Sequence, residues 1–335
     1  MMPNVGRRRR GMTLIEIMIS LVLLGIVSGV LMRVITRQQR FYQGVNQIIT
    51  QRGQLRQATA VLPMDLRSLS SIGNDLISVS DSALVFDLTI GTGVVCAFDG
   101  TSGDKVILPP VGVLASKYMY TSNYGYSWDS EKTKGLWVYI YNDSNVVGNQ
   151  DDRWQKFDLK NVHNGNTTAC VGSGSFTTLG DAGQVRPVLE LADPDGKVDA
   201  LTTGPISRWI GVGAPVRIVK RVRYKLYQEL DRKWYLGFSE FNKSGNSFGD
   251  LSPVSGPYEA YAGSGSTGLG FKFYDVDGSE ISAGADSTNR TKIARIDLVV
   301  RAKTSSNVRA AGIQNGVSQQ YKDSLAASVM IRNRQ

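Results

Sequence analysis

The sequence predicts an α+β protein, in which a long N-terminal α-helix packs on a large antiparallel β-rich head. The first observation is the absence of proline between Pro3 and Pro63. Across that stretch apolar residues first dominate and then thin to a stripe at three- and four-residue spacing, as in a helix with one buried face. The second observation is the composition after Pro63, where Gly, Ser, Asn and Asp separate short runs rich in Val, Ile, Tyr and Trp, as in strands joined by turns.

The predicted helix covers residues 12–62, and its first half has the length and composition of a membrane span. From Ile17 to Met32 no residue is charged, and the 21 residues from Met12 to Met32 contain one acid, Glu16. At about 1.5 Å per residue such a helix is roughly 30 Å long, which matches the apolar core of a bilayer. We therefore expect a single membrane anchor.

Two groups of arginines flank this span and favour opposite orientations. Arg7, Arg8, Arg9 and Arg10 precede it, whereas Arg33, Arg37 and Arg40 follow it. The side richer in Lys and Arg stays cytoplasmic. We take the denser cluster as decisive, which predicts a cytoplasmic N-terminus and places the remaining chain outside.

The residues before the span suggest unusual processing. An ordinary secretory signal is cleaved after its apolar core, so that the core is lost, whereas the only signal-like site here lies before it. Gly11-Met12-Thr13-Leu14-Ile15-Glu16 resembles the prepilin peptidase motif of type IV prepilins, with Met12 in place of the commoner phenylalanine. The resemblance implies that residues 1–11 are a leader removed after Gly11, that Met12 becomes N-methylated, and that the partners include prepilin peptidase, other pilins and the inner-membrane assembly platform.

Glu16 is the residue most closely tied to a mechanism, because a carboxylate in a membrane segment costs several kcal/mol unless it finds a partner. The free amine of Met12, its own or a neighbour's, is one candidate, and the resemblance implies this role in filament assembly. Alternatively, Glu16 lies at headgroup level, where it suits the helix dipole. Gly25 and Gly29 are spaced for close helix packing, although glycine is also ordinarily tolerated in membrane helices.

The net charge gives weak support for nucleic-acid binding. The chain has a formal charge of +9, but the leader contributes four charges and residues 12–62 contribute a net four, which leaves +1 for the head. Solvated surface charge explains this balance, and binding of nucleic acid stays uncertain.

Cys96 and Cys170 are the two cysteines of the chain, in a part predicted to lie outside the cytoplasm, where disulfides persist. A Cys96–Cys170 disulfide is expected, and two buried thiols are the alternative. With no CxxC and a single histidine, a structural zinc site has too few soft ligands.

The head, residues 63–335, contains several predicted strands. The clearest is a hairpin in which residues 222, 224 and 226 alternate with charged residues, followed by Trp234, Leu236 and Phe238 on alternate positions. Further strands are expected at residues 83–86, 136–141, 271–273, 296–300 and 328–333. Residues 12–80 and 216–335 resemble PilW-like minor pilins and the J-type minor pseudopilins of type II secretion.

Residues 97–215 match no pattern in those families and are expected to be an insertion. It contains an aromatic group among Ser, Asn and Gly, namely Tyr118, Tyr120, Tyr124, Tyr126 and Trp128. The insertion either presents a binding surface or consists of exposed loops and edge strands.

No catalytic constellation stands out, so neither an enzyme nor a cofactor is expected. His163 lies in a polar, turn-like context, and a hydrolase triad would need an unusual base. Gly263 to Gly268 satisfies GxGxxG by letters but precedes a predicted strand, whereas the dinucleotide motif follows one. Asp275, Asp277 and Glu280 are weak calcium candidates, and Asp277-Gly278 also suits a hairpin turn.

Together these observations predict a non-catalytic minor pilin that primes or caps a type IV pilus. It would span the inner membrane once before assembly, with its head in the periplasm, and then reach the pilus and cell surface. The alternatives are a J-type minor pseudopilin of type II secretion and a pilus subunit for DNA uptake or adhesion.

Overall fold

A computed structural model of the chain describes residues 13–71, 73–99, 104–110, 135–143, 153–164, 185–192, 210–263, 267–308 and 320–331. The chain divides into two compact units. The first consists of residues up to Gly53 together with residues 303–323, and the second of residues 54–302 and 324–335.

A single helix, α1 (Leu14–Leu66), runs from the first unit into the second. In the first unit its second half contacts the segment around residue 306. The side-chain amide of Gln47 donates to the Ser306 hydroxyl at 2.9 Å, and a Cβ at Gly44 would lie 3.4 Å from Val308 side-chain atoms. The missing side chain of Gly44 therefore gives the helix and this segment close contact.

The end of α1 differs from the prediction, because the helix continues through Pro63 to Leu66 instead of ending near Leu62. Proline removes one backbone donor, but Pro63 lies only three residues before the end and its carbonyl still accepts from Arg67 N–H at 3.1 Å. Leu62 and Leu66 are both fully buried. Their burial, worth about 1.5–3 kcal/mol each, favours the extra turn.

The second unit contains most of the β structure. Its strands, with one or two residues of β14 and β15 belonging to the first unit, are β1 (Leu76–Val79), β2 (Ala83–Val94), β3 (Ala97–Asp99), β4 (Lys105–Ile107), β5 (Trp137–Asn142), β6 (Arg153–Asn164), β7 (Pro187–Ala192), β8 (Pro215–Gln228), β9 (Trp234–Asn242), β10 (Ser247–Phe248), β11 (Ser252–Tyr258), β12 (Leu269–Tyr274), β13 (Glu280–Ile281), β14 (Arg295–Lys303) and β15 (Lys322–Met330). A short helix, α2 (Ser287–Arg290), precedes β14.

Within the described residues these strands form two sheets. The larger has eleven strands along the order β1-β2-β8-β5-β6-β7-β4-β3, with β9 also against β8, and with β10 and β11 against β9. Strand β8 is long enough to pair with β2 on one edge, and with both β5 and β9 on the other. The smaller sheet has the order β13-β12-β14-β15.

The two largest of the four buried apolar clusters among the described residues lie in the second unit. One joins the end of α1, through Leu55, Ala58 and Leu62, to residues of both sheets such as Tyr224 and Phe271. The other lies among β4 to β8. The α+β prediction, with a long helix packed on antiparallel sheets, is confirmed, although the fully buried apolar residues of α1 begin only at Leu55, and Phe41 and Ile49 are exposed.

Each predicted strand overlaps an observed one, although β15 ends at Met330 and not at residue 333. The 222–238 hairpin has the expected alternation, with Tyr224 opposite Phe238 and Leu226 opposite Leu236. The turn-like context assigned to His163 is wrong, since His163 lies on β6 opposite Val188 of β7. The described parts of residues 97–215 include five strands, β3 to β7, of the large sheet. The sequence predicted β5 among them, whereas the pairing of β6 with β5 and β7, and of β4 with β7, is nonlocal and is not visible in local sequence. The aromatic group from Tyr118 to Trp128 lies outside the described residues.

Candidate functional site

The start of α1 carries the residues that sequence reasoning linked to function. Gly11, Met12 and the arginines 7–10 lie outside the described residues, and the description begins at Thr13. The carbonyl of Thr13 accepts from Glu16 N–H at 3.1 Å and from Ile17 N–H at 3.3 Å. Its hydroxyl oxygen also lies 3.4 Å from Glu16 N. Thr13 therefore acts as the N-terminal cap of α1, as threonine often does.

Glu16 lies in the first turn of α1 and is exposed. Its backbone carbonyl accepts from the Ser20 hydroxyl at 2.7 Å. Within the described part of the chain, no hydrogen bond or ion pair of its carboxylate is observed. The helix dipole favours an acid in this turn, and the side chain is available to a group that this stretch of helix does not supply.

The apolar residues that follow form an exposed surface around α1. From Leu14 to Met32 every described residue is exposed. Gly25 and Gly29, predicted to allow close packing, have no atom within 4 Å of the position where a Cβ would lie. In the described part of the chain, α1 is the helix long and apolar enough to cross a membrane, by length and composition. This surface is consistent with membrane anchoring.

Further along α1, Arg52 forms an ion pair within the first unit. Arg52 Nε lies 3.0 Å from Asp323 Oδ2, and Arg52 Nη2 donates to the Tyr321 hydroxyl at 2.9 Å. The hydrogen bond to Asp323, followed by that to Tyr321, raises the pKa of Arg52. The pair is solvent-exposed, so it orients the side chains more than it stabilises the fold.

The other predicted site residues belong to the second unit or lie outside the described residues. Cys96 is buried and disulfide-bonded, whereas Cys170, the partner predicted from the sequence, lies outside the described residues. Asp275 Oδ1 accepts from the backbone N–H groups of Asp277 and Ser279, as in an ordinary turn. Glu280 pairs with Lys272 at 3.2 Å, and the described residues contain no group of three or more His, Cys, Asp or Glu arranged for a metal ion.

Sequence reasoning missed a polar cluster in the large sheet, in which one carboxylate joins three strands to its own. Asp87 of β2 lies 2.9 Å from Arg221 Nε of β8 and 2.8 Å from Lys156 Nζ of β6. It also accepts from the Tyr139 hydroxyl of β5 at 2.9 Å. We call Asp87, Tyr139, Lys156 and Arg221 the Asp87 cluster.

Aromatic rings and a second ion pair extend this layer. Arg221 lies 4.8 Å from the ring centre of Trp137, and Arg217 lies 4.2 Å from that of Trp154, within the range of cation–π attraction. Arg217 also makes a bidentate contact with Asp75, at 2.7 and 3.2 Å. The sequence pattern that indicates this layer is the placement of Arg217, Val219 and Arg221 at alternate positions of β8, and hence on one face of the strand. Trp137 and Tyr139 are spaced in the same way on β5.

The electrostatics of the Asp87 cluster indicate a structural role. Burial alone would raise the pKa of Asp87, but the hydrogen bond and charge of Arg221, together with the charge of Lys156, hold it below its usual value. Burial, followed by the negative charge of Asp87, raises the pKa of Tyr139. The carboxylate therefore stays ionised with its donors in place, and the cluster fastens β2, β8, β5 and β6 to one another.

Comparison with known proteins supports the interpretation of the N-terminus. Residues 6–32 match the family model described as the prokaryotic N-terminal methylation motif. No curated protein and no solved structure matches the chain. The motif is a prepilin-like type IV signal, and it indicates a type IV pilin-like or pseudopilin protein.

Proposed function

We propose that the chain is a PilW-like minor pilin, a non-catalytic subunit that primes or caps assembly of a type IV pilus. Prepilin peptidase would cleave after Gly11, Met12 would be methylated, and α1 would be drawn from the inner membrane into the filament. The observation that carries the proposal is the exposure of every described residue from Leu14 to Met32, a stretch that lies within the match to the methylation motif.

Glu16 would act as the assembly residue. A carboxylate in an apolar helix costs about 2.5–3.5 kcal/mol at the centre of a bilayer, and less near the helix start, where Glu16 lies. A neighbouring subunit's methylated Met12 amine, still cationic, would offset that cost when the helices stack side by side. The pairing would favour one register between neighbouring helices, since each helix offers one acid and one amine.

The head would contribute by its shape and surface rather than by chemistry. Among the described residues, the two buried acids, Asp75 and Asp87, are both held by arginines across the sheet. A large head attached to the kind of helix that all subunits share suits the end of a filament, where neighbouring subunits crowd it less than in the shaft. On assembly the protein would move from the inner membrane, with its head periplasmic, to the pilus and the cell surface.

A J-type minor pseudopilin of type II secretion is the nearest alternative, because the methylation motif serves both systems. Deletion of the gene distinguishes them: the proposal predicts loss of pili with secretion intact, and the alternative predicts the reverse. A role in DNA uptake or adhesion is less well supported, since the head has a net charge near zero. Binding of DNA by the protein that weakens steeply with salt would favour it.

The experiment that tests the proposal replaces Glu16 with alanine in the full-length chain. We expect normal membrane insertion and normal leader removal but strongly reduced recovery in sheared pili, because the amine of the neighbour loses its partner. Ser28→Ala is the matched control, since it changes another polar residue of the same span without removing charge, and it should be recovered like the wild type. Equal recovery of the Glu16→Ala variant would contradict the role given to this carboxylate.

A further inference from the structure

Three arginines lie on one face of α1 directly after its apolar stretch. Arg33, Arg37 and Arg40 are all exposed. At about 100° per residue, their positions fall within an arc of about 60° around the helix axis. We call these three residues the arginine stripe.

The arginine stripe has no acidic partner on its own helix. Between Glu16 and Asp65 the sequence contains no Asp or Glu, and no ion pair of Arg33, Arg37 or Arg40 is observed within the described residues. Like charges three and four residues apart destabilise a helix. An anionic ligand that bridges these side chains would remove that repulsion.

The position of the stripe along α1 matches the phosphate layer of a membrane. If the apolar stretch spans the bilayer core, Arg33, Arg37 and Arg40 lie about 1.5, 7.5 and 12 Å beyond Met32. Long helical side chains lean back over the preceding turn, by about 5.4 Å, and for this helix that direction is towards the membrane. The three guanidinium groups therefore fall within or beside a headgroup layer roughly 5–8 Å thick.

We infer that the arginine stripe binds the phosphate groups of anionic phospholipids in the leaflet on the head's side of the membrane. The inference rests on the proposed membrane anchor. Guanidinium groups donate two parallel hydrogen bonds to a phosphate, and three on one face can share one or two headgroups. This contact would fix the depth of α1 before the subunit enters a filament. It also gives a role to three positive charges on the side of the membrane where the positive-inside rule disfavours them.

The test uses the mature protein, from which the leader with Arg7 to Arg10 has been removed, in detergent micelles that contain equal amounts of phosphatidylglycerol and phosphatidylcholine. Native mass spectrometry measures the ratio of the two lipids in the first lipid-bound state. A basic residue near an anionic surface contributes about 1 kcal/mol, or about fivefold. We therefore expect the wild type to prefer phosphatidylglycerol at least fivefold, and the triple variant Arg33→Gln, Arg37→Gln, Arg40→Gln to show a ratio near one.

Two further variants separate this contact from general charge effects. Arg56→Gln, Arg67→Gln, Lys225→Gln removes the same charge from exposed positions away from the span and should keep the wild-type ratio. Replacing the stripe by three lysines should keep part of the preference, because charge remains while the planar donor pair is lost. Equal ratios in the wild type and the glutamine variant would overturn the inference.

Protease protection of the head in sealed membrane vesicles tests the anchor separately. A correctly inserted protein without lipid preference would overturn only the lipid contact, whereas failure to insert would contradict the proposed function. If the glutamine variant loses incorporation into pili while the lipid ratio never exceeds one, the stripe instead serves acidic side chains of a neighbouring subunit, and the inference is also overturned.

Discussion

Replacing Asp87 should destabilise the head strongly, because this carboxylate is the only acid that the Asp87 cluster offers to two cations. Arg221 and Lys156, which lose this partner in the Asp87→Ala variant, have 19% and 24% of their side-chain surface exposed in the wild-type structure. Breaking a buried pair by removing one partner costs about 3–5 kcal/mol. Residual hydration of both cations places the expected loss near the lower end, at about 3 kcal/mol.

The assay is equilibrium unfolding of the full-length protein by urea, followed by tryptophan fluorescence. Trp137, one of the five tryptophans of the chain, lies 4.8 Å from Arg221 and 4.6 Å from Lys156, so the summed emission includes a reporter beside the cluster. Glu280→Gln is the matched control, because it removes an acid from an exposed ion pair with Lys272 and should leave the midpoint unchanged. A loss below about 1 kcal/mol in Asp87→Ala would show that the cluster does not fasten the four strands.

The same residue predicts a pH dependence whose sign follows from its lowered pKa. Because the pKa of Asp87 is lower in the folded chain than in the unfolded chain, its contribution is complete above the usual aspartate value of about 4. The contribution is lost as the pH falls through the lowered, folded value. The stability gap between wild type and Asp87→Asn should therefore be constant near neutral pH and narrow below about pH 4. A gap that widens on acidification would contradict this sign.

Two further predictions concern α1. The Leu62→Ala variant should lose about 2–5 kcal/mol of unfolding free energy, because Leu62 is fully buried. The control Ile49→Ala, at a position 63% exposed, should lose almost none. Similar urea midpoints for the two variants would contradict the packing of the helix on the sheets. The Gly25→Leu variant should fold like the wild type, since no atom lies within 4 Å of the position where a Cβ would be. If neighbouring helices approach closely at Gly25, the variant should be recovered less in sheared pili. Unchanged recovery would remove that role from Gly25.

The sequence allowed the local features of the fold to be predicted. Alternating apolar residues on β8 and β9 were enough to predict the hairpin, because each strand buries one face and pairs with its neighbour along the chain. The apolar run before Arg33 likewise predicted the first half of α1. In both cases the signal lies in consecutive residues.

Nonlocal features could not be predicted in this way. Strand β5 was predicted from its own residues, but its place with β6 and β7, in order beside the first half of β8, was not, because no local pattern shows that β6 and β7 pair next to it. Arg221 is one of the charged residues that alternate with the apolar face of β8, and arginine is mostly exposed in proteins. Only the sheet order reveals that Asp87 and Lys156 lie beside it.

The candidate site shows the same difference between local features, which the sequence predicts, and nonlocal ones, which it does not. The methylation motif is a contiguous signal, so the sequence alone located Glu16 and the helix behind it. The sequence does not show which other chains α1 contacts. The arginine stripe could be interpreted only once the structure showed that its three residues share one exposed face of a continuous helix.

Intact-mass spectrometry of the protein recovered from pili or membranes tests the central claim most directly. The account predicts a chain that begins at Met12, carries one added methyl group, and keeps the apolar helix. A mass that still includes the four arginines of residues 7–10, or one that corresponds to a chain beginning beyond Met32, would contradict it.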